Sequence, residues 1–184
     1  MGIYTRTCSK FKNTDYIRAL YNSLIKSRLE YAAIVWNLYC KQDILQIEKV
    51  QRKYLKYIYY ITHNAYPTLN ISYANLLSLT NDQSLHYRRL LSGIKYFYKL
   101  IHEKIPCIFL VNLLPFSDRR HSTRRPTIFT NPIPRSNMML KSPVYTICAN
   151  INAICNMYDF FCSNFNVIEM KFCEYYNVHL NIYV

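Results

Sequence analysis

The sequence predicts a mainly α-helical fold, an irregular helical bundle with at most short strands. Only two of its 184 residues are glycine, so the tight turns that β-hairpins need are scarce. Apolar residues recur every three or four positions over several long segments, which is typical of amphipathic helices. Hydrophobic residues make up 51% of the chain, enough for a packed core and too many for a disordered protein.

The first predicted helix begins at Thr14 or Asp15, either of which can cap it, and runs to about Trp36. Its apolar stripe starts at Ile17 and continues at helical spacing through this range. Residues 1–13 carry no such stripe, and we expect an irregular lead-in there.

A second helix is predicted from about Asp43 to Ile61, with one apolar and one basic face. Asp43 lies near its N-terminus, where the helix dipole favours a negative charge. The basic face consists of Lys49, Arg52, Lys53 and Lys56.

Two more helices are expected before residue 106. A short one covers Tyr73–Leu79, and a longer one covers Gln83–Lys104 with Asn81 or Asp82 as its cap. Gly93 lies inside the longer helix, where glycine costs about 1 kcal/mol relative to alanine.

Residues 116–143 are predicted to form an extended basic loop, because prolines are too dense there for a helix. One or two short strands are expected near Thr127–Thr130. Helices are predicted again over Val144–Met157 and Asp159–Tyr176, and the last residues favour a strand or a frayed tail.

The net charge of +13 is distributed unevenly. Residues 1–62 hold 11 Lys and Arg against 4 Asp and Glu, residues 63–142 hold 11 against 3, and the remainder holds 1 against 3. A basic body with a nearly neutral tail is what a polyanion-binding surface requires. The simpler alternative is that these charges only solubilise an aromatic-rich helical domain.

The seven cysteines include no C-x-x-C pair, and Met1–Thr14 is polar and basic without an apolar centre, so we expect no N-terminal signal sequence. We therefore expect reduced thiols and an intracellular protein, nuclear or cytoplasmic and not secreted. No run of 18 apolar residues occurs, so no membrane partner is expected.

An ordered series of motifs lies between Leu20 and Ile61. The first helix has LY.SLI.S.LEY...VW over residues 20–36, and the second has I..IE.VQR over residues 44–52. This order resembles the region just after the polymerase core in reverse transcriptases of non-LTR retrotransposons, the jockey-like elements of animals. One departure is Leu38, because the family usually has a proline soon after the tryptophan–asparagine pair.

A looser resemblance continues to about residue 176, through an RR motif at Arg88 and Arg89 and an NSP-like motif at Ser142–Pro143. On this resemblance the chain divides into a lead-in (1–13), a thumb-like helical pair (14–62), a helical extension (63–115), a basic loop rich in proline and arginine (116–143) and a C-terminal helical segment (144–184).

The resemblance implies a parent RNA-directed DNA polymerase whose catalytic palm is missing here. Two-metal phosphoryl transfer needs carboxylates that hold ions about 4 Å apart. The five aspartates of this chain are each more than 25 residues apart, and no Asp-Asp pair occurs. We therefore expect a C-terminal fragment or degenerate copy that is not an enzyme on its own. It would have no cofactor, and Mg²⁺ would belong to the parent polymerase.

Charge and resemblance together predict contact with RNA or DNA as template–primer, and with the missing palm domain, but with no small-molecule substrate. Thirteen cations are the candidate nucleic-acid contacts: Lys26, Arg28, Lys49, Arg52, Lys53, Lys56, Arg88, Arg89, Arg119, Arg120, Arg124, Arg125 and Arg135. The arginine cluster at 119–125 is also compatible with nuclear localisation. Trp36 with Tyr39 is a weaker candidate for base stacking, since an aromatic residue at a helix end more often closes a core.

The alternative function is a non-catalytic helical packing module, or a functionless relic of a mobile element.

Overall fold

The structure is a computed structural model that describes residues 2–8, 11, 13–36, 40–67, 71–117, 127–131, 133–155 and 159–179. Across these residues the chain is mainly helical, which confirms the predicted fold class. Their β structure is limited to an isolated antiparallel bridge between Phe116 and Phe129, so the strands predicted near Thr127–Thr130 are reduced to this one pairing.

The chain divides into two compact units, each an irregular helical bundle. Unit 1 takes in the described residues within Met1–Ala33 and Leu38–Arg88. Unit 2 takes in those within Ile34–Asn37 and Arg89–Ile182. The division into five segments, which the composition and the resemblance indicate, stays a prediction.

Unit 1 contains α1 (Gly2–Cys8), α2 (Thr14–Tyr21), α3 (Ser27–Glu30), α4 (Lys41–His63), α5 (Tyr73–Thr80) and the first turn of α6 (Leu85–Ile101). A π-helical segment, Asn22–Lys26, joins α2 to α3. The irregular lead-in predicted for residues 1–13 is wrong where α1 lies. Tyr4 and Cys8, one helical turn apart on α1, are both buried.

The core of unit 1 is built on tyrosine rings. Tyr21 of α2 and Tyr54 of α4 stack with their ring centroids 3.6 Å apart. Tyr4 of α1 meets these two rings edge-on, at 6.2 and 6.4 Å, and its hydroxyl donates a 2.7 Å hydrogen bond to the carbonyl of Ile17. Such ring pairs stabilise by about 0.5–1.5 kcal/mol each beyond the area they bury, so three helices are joined by aromatic contacts.

The helix that begins at Thr14 ends at Glu30, and the prediction that it reaches Trp36 is wrong. Ala32 has a φ of 51°, a left-handed conformation that non-glycine residues seldom adopt, and the chain turns there. The cap is also one residue earlier than predicted, since the Asn13 side chain accepts a 2.8 Å hydrogen bond from the amide of Asp15.

The second predicted helix is confirmed by α4, which extends it by two residues at each end. The short helix is confirmed by α5, and the long one by α6, which is shorter than predicted at both ends. Asn81 does not cap α6: it has a φ of 54° and ends α5. Ser84 lies directly before α6, and its hydroxyl accepts a 3.2 Å hydrogen bond from the amide of Tyr87.

Unit 2 contains the rest of α6 with α7 (Ile108–Asn112), α8 (Asn137–Leu140), α9 (Pro143–Ile154) and α10 (Phe165–His179). α9 and α10 confirm the two helices predicted after residue 143, and Pro143 stands in the first turn of α9 as expected. α10 begins six residues later than predicted and continues to His179. α7 and α8 are not predicted by the sequence, and residues 180–184 lie outside the described chain.

One asparagine of α9 fixes the segment around the β-bridge. The Asn152 side chain accepts hydrogen bonds from the amides of Ile128 and Phe129, both at 3.0 Å, and donates one to the carbonyl of Phe129 at 2.8 Å. The Phe129 ring is buried and meets Phe97 of α6 edge-on at 6.2 Å. This part of the predicted basic loop is therefore packed core.

Gly93 has a packing role inside α6. A Cβ at this position would lie 2.8 Å from both Cγ1 and Cδ1 of Ile147, a buried residue of α9. Glycine lowers the helix propensity of α6 at this position, but the absence of a Cβ allows α6 and α9 to approach closely.

We predict that Gly93→Ala destabilises the protein by about 1 kcal/mol, because overpacking costs roughly 1–3 kcal/mol and the gain in helix propensity returns about 1 kcal/mol. Urea unfolding followed by far-UV circular dichroism measures the change. In an Ile147→Val background, which lacks Cδ1, the cost should shrink. A Gly93→Ala protein more stable than the wild type would contradict the close contact.

Candidate nucleic-acid interface

α4 separates a basic outer face from a buried inner face. At 100° per residue, four of its cations fall within an arc of about 100° and about 10 Å of helix length. These four, which we call the basic stripe, are Lys49, Arg52, Lys53 and Lys56; the first three are exposed and the last is half-buried. On the opposite side Ile44, Tyr54 and Ile58 are buried.

No carboxylate of α4 interrupts the basic stripe. The acidic residues of this helix are Asp43 and Glu48. Glu48 is buried on the inner face, and Asp43 lies in the first turn, about 130° around the helix from the centre of the stripe and about 80° from Lys53. Phosphate groups approaching α4 from outside therefore meet positive charge.

The inner face of α4 holds the chain that follows it through polar contacts. The Glu48 carboxylate accepts hydrogen bonds from the Tyr73 hydroxyl and, at 2.7 Å, from the amide of His86. Gln51 donates to the carbonyl of Gln83 at 2.9 Å. From the outer face, the exposed guanidinium of Arg52 also donates to the carbonyl of Ile71 at 3.4 Å. Glu48, Gln51 and Arg52 of the I..IE.VQR motif therefore each make a hydrogen bond within unit 1.

Buried groups on the inner face of α4 and in the core next to it resist ionisation. Burial raises the pKa of Tyr54 to about 12, with the nearby Asp82 carboxylate adding to the rise and Arg18 opposing it. Burial also raises the pKa of Tyr21. The pKa of the half-buried Asp82 is raised by desolvation against the attraction of Arg18. The interior of unit 1 therefore disfavours charge, in contrast to the outer face of α4.

The other cations predicted in unit 1 differ in their surroundings. Arg28 is exposed on α3, and Lys26 is half-buried in the π-helical segment. Arg88 pairs with Glu30 at 2.9 Å, with each side chain 26% exposed, so its charge is balanced within unit 1. Burial lowers the pKa of Arg88.

In unit 2, Arg89 is 5% exposed, and its guanidinium carbon lies 4.2 Å from the centroid of the Trp36 ring. This cation–π contact occupies one face of the tryptophan that the sequence offers as a base-stacking candidate. Tyr39, the partner in that prediction, lies outside the described residues.

The predicted arginine cluster is only partly described. Arg119, Arg120, Arg124 and Arg125 lie outside the described residues, and their role stays a prediction. Arg135 is exposed and directly precedes Ser136, whose side chain caps α8 by accepting a hydrogen bond from the amide of Met139.

An aromatic surface that the sequence analysis does not identify lies at the end of α4. Tyr60 and Tyr66 stack with their ring centroids 4.4 Å apart and their planes 26° apart. Tyr59 and His63 form a second stack beside them, at 4.2 Å. The pairing of Tyr60 with Tyr66 depends on how the chain turns at Asn64, so helical periodicity alone gives no signal for it.

Among the described residues, no group of three or more His, Cys, Asp or Glu side chains is placed to hold a metal ion. Asp118 lies outside them. No helix in the described part of the chain combines the length and the apolar character that crossing a membrane requires.

Comparisons with family models, with curated proteins and with solved structures found no match to this chain. The resemblance to reverse transcriptases of non-LTR retrotransposons therefore rests on its ordered motifs alone.

We predict that Glu48→Ala lowers the free energy of unfolding by about 2–3 kcal/mol, because the Tyr73 hydroxyl and the His86 amide lose their acceptor. Glu48→Gln should cost less, since an amide oxygen can still accept one of the two hydrogen bonds. The exposed Gln46→Ala on the same helix is the control and should change stability by less than about 0.5 kcal/mol. Equal effects of Glu48→Ala and Gln46→Ala on urea unfolding would show that the buried hydrogen bonds of Glu48 do not stabilise the protein.

Proposed function

We propose that this chain binds the phosphate backbone of RNA or DNA through the basic stripe of α4, as the non-catalytic C-terminal region of an RNA-directed DNA polymerase. The observation that carries the proposal is the stripe itself: four cations on one face of a 23-residue helix whose opposite face is buried. Its ligand in the parent polymerase would be the template–primer, with the chemistry and its Mg²⁺ supplied by the palm domain.

The stripe suits backbone contact better than base recognition. Lysine ammonium groups are compact charges on flexible stems, which neutralise phosphates without selecting a base. Neutralising four phosphates releases condensed counterions, so log K should fall with log salt at a slope of about −3.6 for duplex DNA. Exposed Arg28 is a further cation of unit 1. Binding would thus be tight at low salt, steep in its salt dependence and tolerant of sequence.

We predict that Lys49→Gln/Lys53→Gln weakens binding to an RNA–DNA duplex and reduces the salt slope by about 2, since two phosphate contacts are lost. Fluorescence anisotropy titrations at several salt concentrations give both quantities. The matched control, Lys99→Gln/Lys104→Gln, removes the same charge from two exposed positions, one in the last turn of α6 and one three residues beyond it.

Equal losses in the two double variants would mean that net charge, and not the stripe, determines binding. A wild-type chain that fails to bind at low salt would sink the proposal altogether.

A second candidate function, a packing module of the parent polymerase, is favoured by a different observation. α7 exposes its apolar side chains: Ile108 is 79% exposed and Phe109 71%, and Leu113 directly after the helix is 61% exposed. Adjacent exposed apolar residues of this kind mark interaction surfaces. A missing polymerase domain is the partner that this candidate requires.

If α7 is a packing surface, we predict that the isolated chain self-associates and that Phe109→Ser shifts it towards monomer in sedimentation velocity, because exposed apolar area drives association. Leu79→Ser, at an α5 position that is also 61% exposed, should leave the association unchanged. A wild-type chain that is monodisperse and monomeric, with a sharp thermal transition, argues against this candidate.

A further inference from the structure

The C-terminal end of α4 places an exposed aromatic surface in line with the basic stripe. Tyr60 follows Lys56 by four residues, which is about 6 Å further along the helix axis and within the same 100° arc. Beyond His63 the helix ends because Asn64 adopts a left-handed conformation with φ 51°. The chain then reverses, and the ring of Tyr66 packs on the ring of Tyr60.

The Tyr60 and Tyr66 rings are far more exposed than a ring pair that packs in the core. Tyr66 is 73% exposed although one face of its ring lies on Tyr60, so its other face is open to solvent. Tyr60 is 38% exposed. By comparison, the stacked pair Tyr21–Tyr54 in the core is almost fully buried. The Tyr60–Tyr66 pair therefore presents a flat, preformed aromatic surface and contributes little to the core.

We infer that the open face of Tyr66 stacks on an unpaired base of single-stranded RNA or DNA whose backbone follows the basic stripe. This inference rests on the proposed function, because the stripe supplies the phosphate contacts that bring the strand to the tyrosines. Cations tracking a backbone and aromatic rings beside them are the two components of sequence-tolerant single-strand binding.

The occupant is a single strand and not a duplex because of what stacking requires. Inside a duplex each base already stacks on its neighbours and offers no free face to a protein ring. An unpaired base can leave its neighbours and stack on tyrosine, and every base has the π-face that this contact needs. The tyrosine pair thus discriminates between strands and duplexes, which the stripe alone does not do.

The test measures Tyr66→Ala in the full chain by fluorescence anisotropy, with a short mixed-sequence DNA strand and with the corresponding duplex. Loss of one stacked base should weaken strand binding about 5- to 150-fold, while duplex binding and the salt slope stay at their wild-type values. Tyr66→Phe keeps the ring and should bind the strand within about twofold of the wild type. Tyr16→Ala, at a 62%-exposed tyrosine of α2, is the matched control and should have no effect.

A strand that carries abasic sites in place of bases separates stacking from charge. The wild type should bind it no better than Tyr66→Ala binds the intact strand. Far-UV circular dichroism and urea unfolding verify that each variant is folded.

The outcomes distinguish the two proposals. Salt-dependent duplex binding together with an unchanged strand affinity of Tyr66→Ala overturns the stacking inference and leaves the proposed function standing. Equal weakening for strand and duplex also overturns it, because stacking would then not be selective. Absence of binding to both ligands at low salt overturns the proposed function and the inference together.

Discussion

The buried carboxylate of Glu48 joins three helices of unit 1. Placing such a group out of water costs free energy unless hydrogen bonds compensate for the lost hydration. Its two donors are the hydroxyl of Tyr73, the first residue of α5, and the amide of His86, in the first turn of α6. The positive end of the α6 dipole faces the same carboxylate. One side chain of α4 thereby holds the first turns of the next two helices, α5 and α6.

The outer face of α4 follows from this inner arrangement. Because Glu48 and Gln51 point inward to bind the chain between residues 73 and 86, helical geometry directs Lys49, Arg52 and Lys53 outward. The residues that carry the family resemblance are therefore used in two ways. Glu48 and Gln51 hold the helices of unit 1 together, whereas Arg52 belongs to the basic stripe on which the proposed function depends.

Helical periodicity was enough to predict the fold class and α4, because each buried residue of α4 recurs at helical spacing. It failed where the backbone departs from helix at a single residue, as at Ala32 and Asn81, since alanine and asparagine also occur inside helices. The basic stripe was predictable for the same reason as α4. The ion pair of Arg88 with Glu30 and the stack of Tyr66 on Tyr60 were not, because both depend on tertiary contacts.

The π-helical segment between α2 and α3 determines how unit 1 responds to a change in chain length at that point. A π-helical turn holds more residues than an α-helical turn, so it changes which side chains face inward on either side of it. Tyr21 before the segment is buried, whereas Leu24 within it is 55% exposed. Deleting one residue from Asn22–Lys26 would let the segment close into a regular α-helix, so α3 would rotate relative to α2 by much less than the roughly 100° that a deletion within an α-helix causes. Unit 1 should therefore tolerate a one-residue deletion in this segment better than one within α2 or α3.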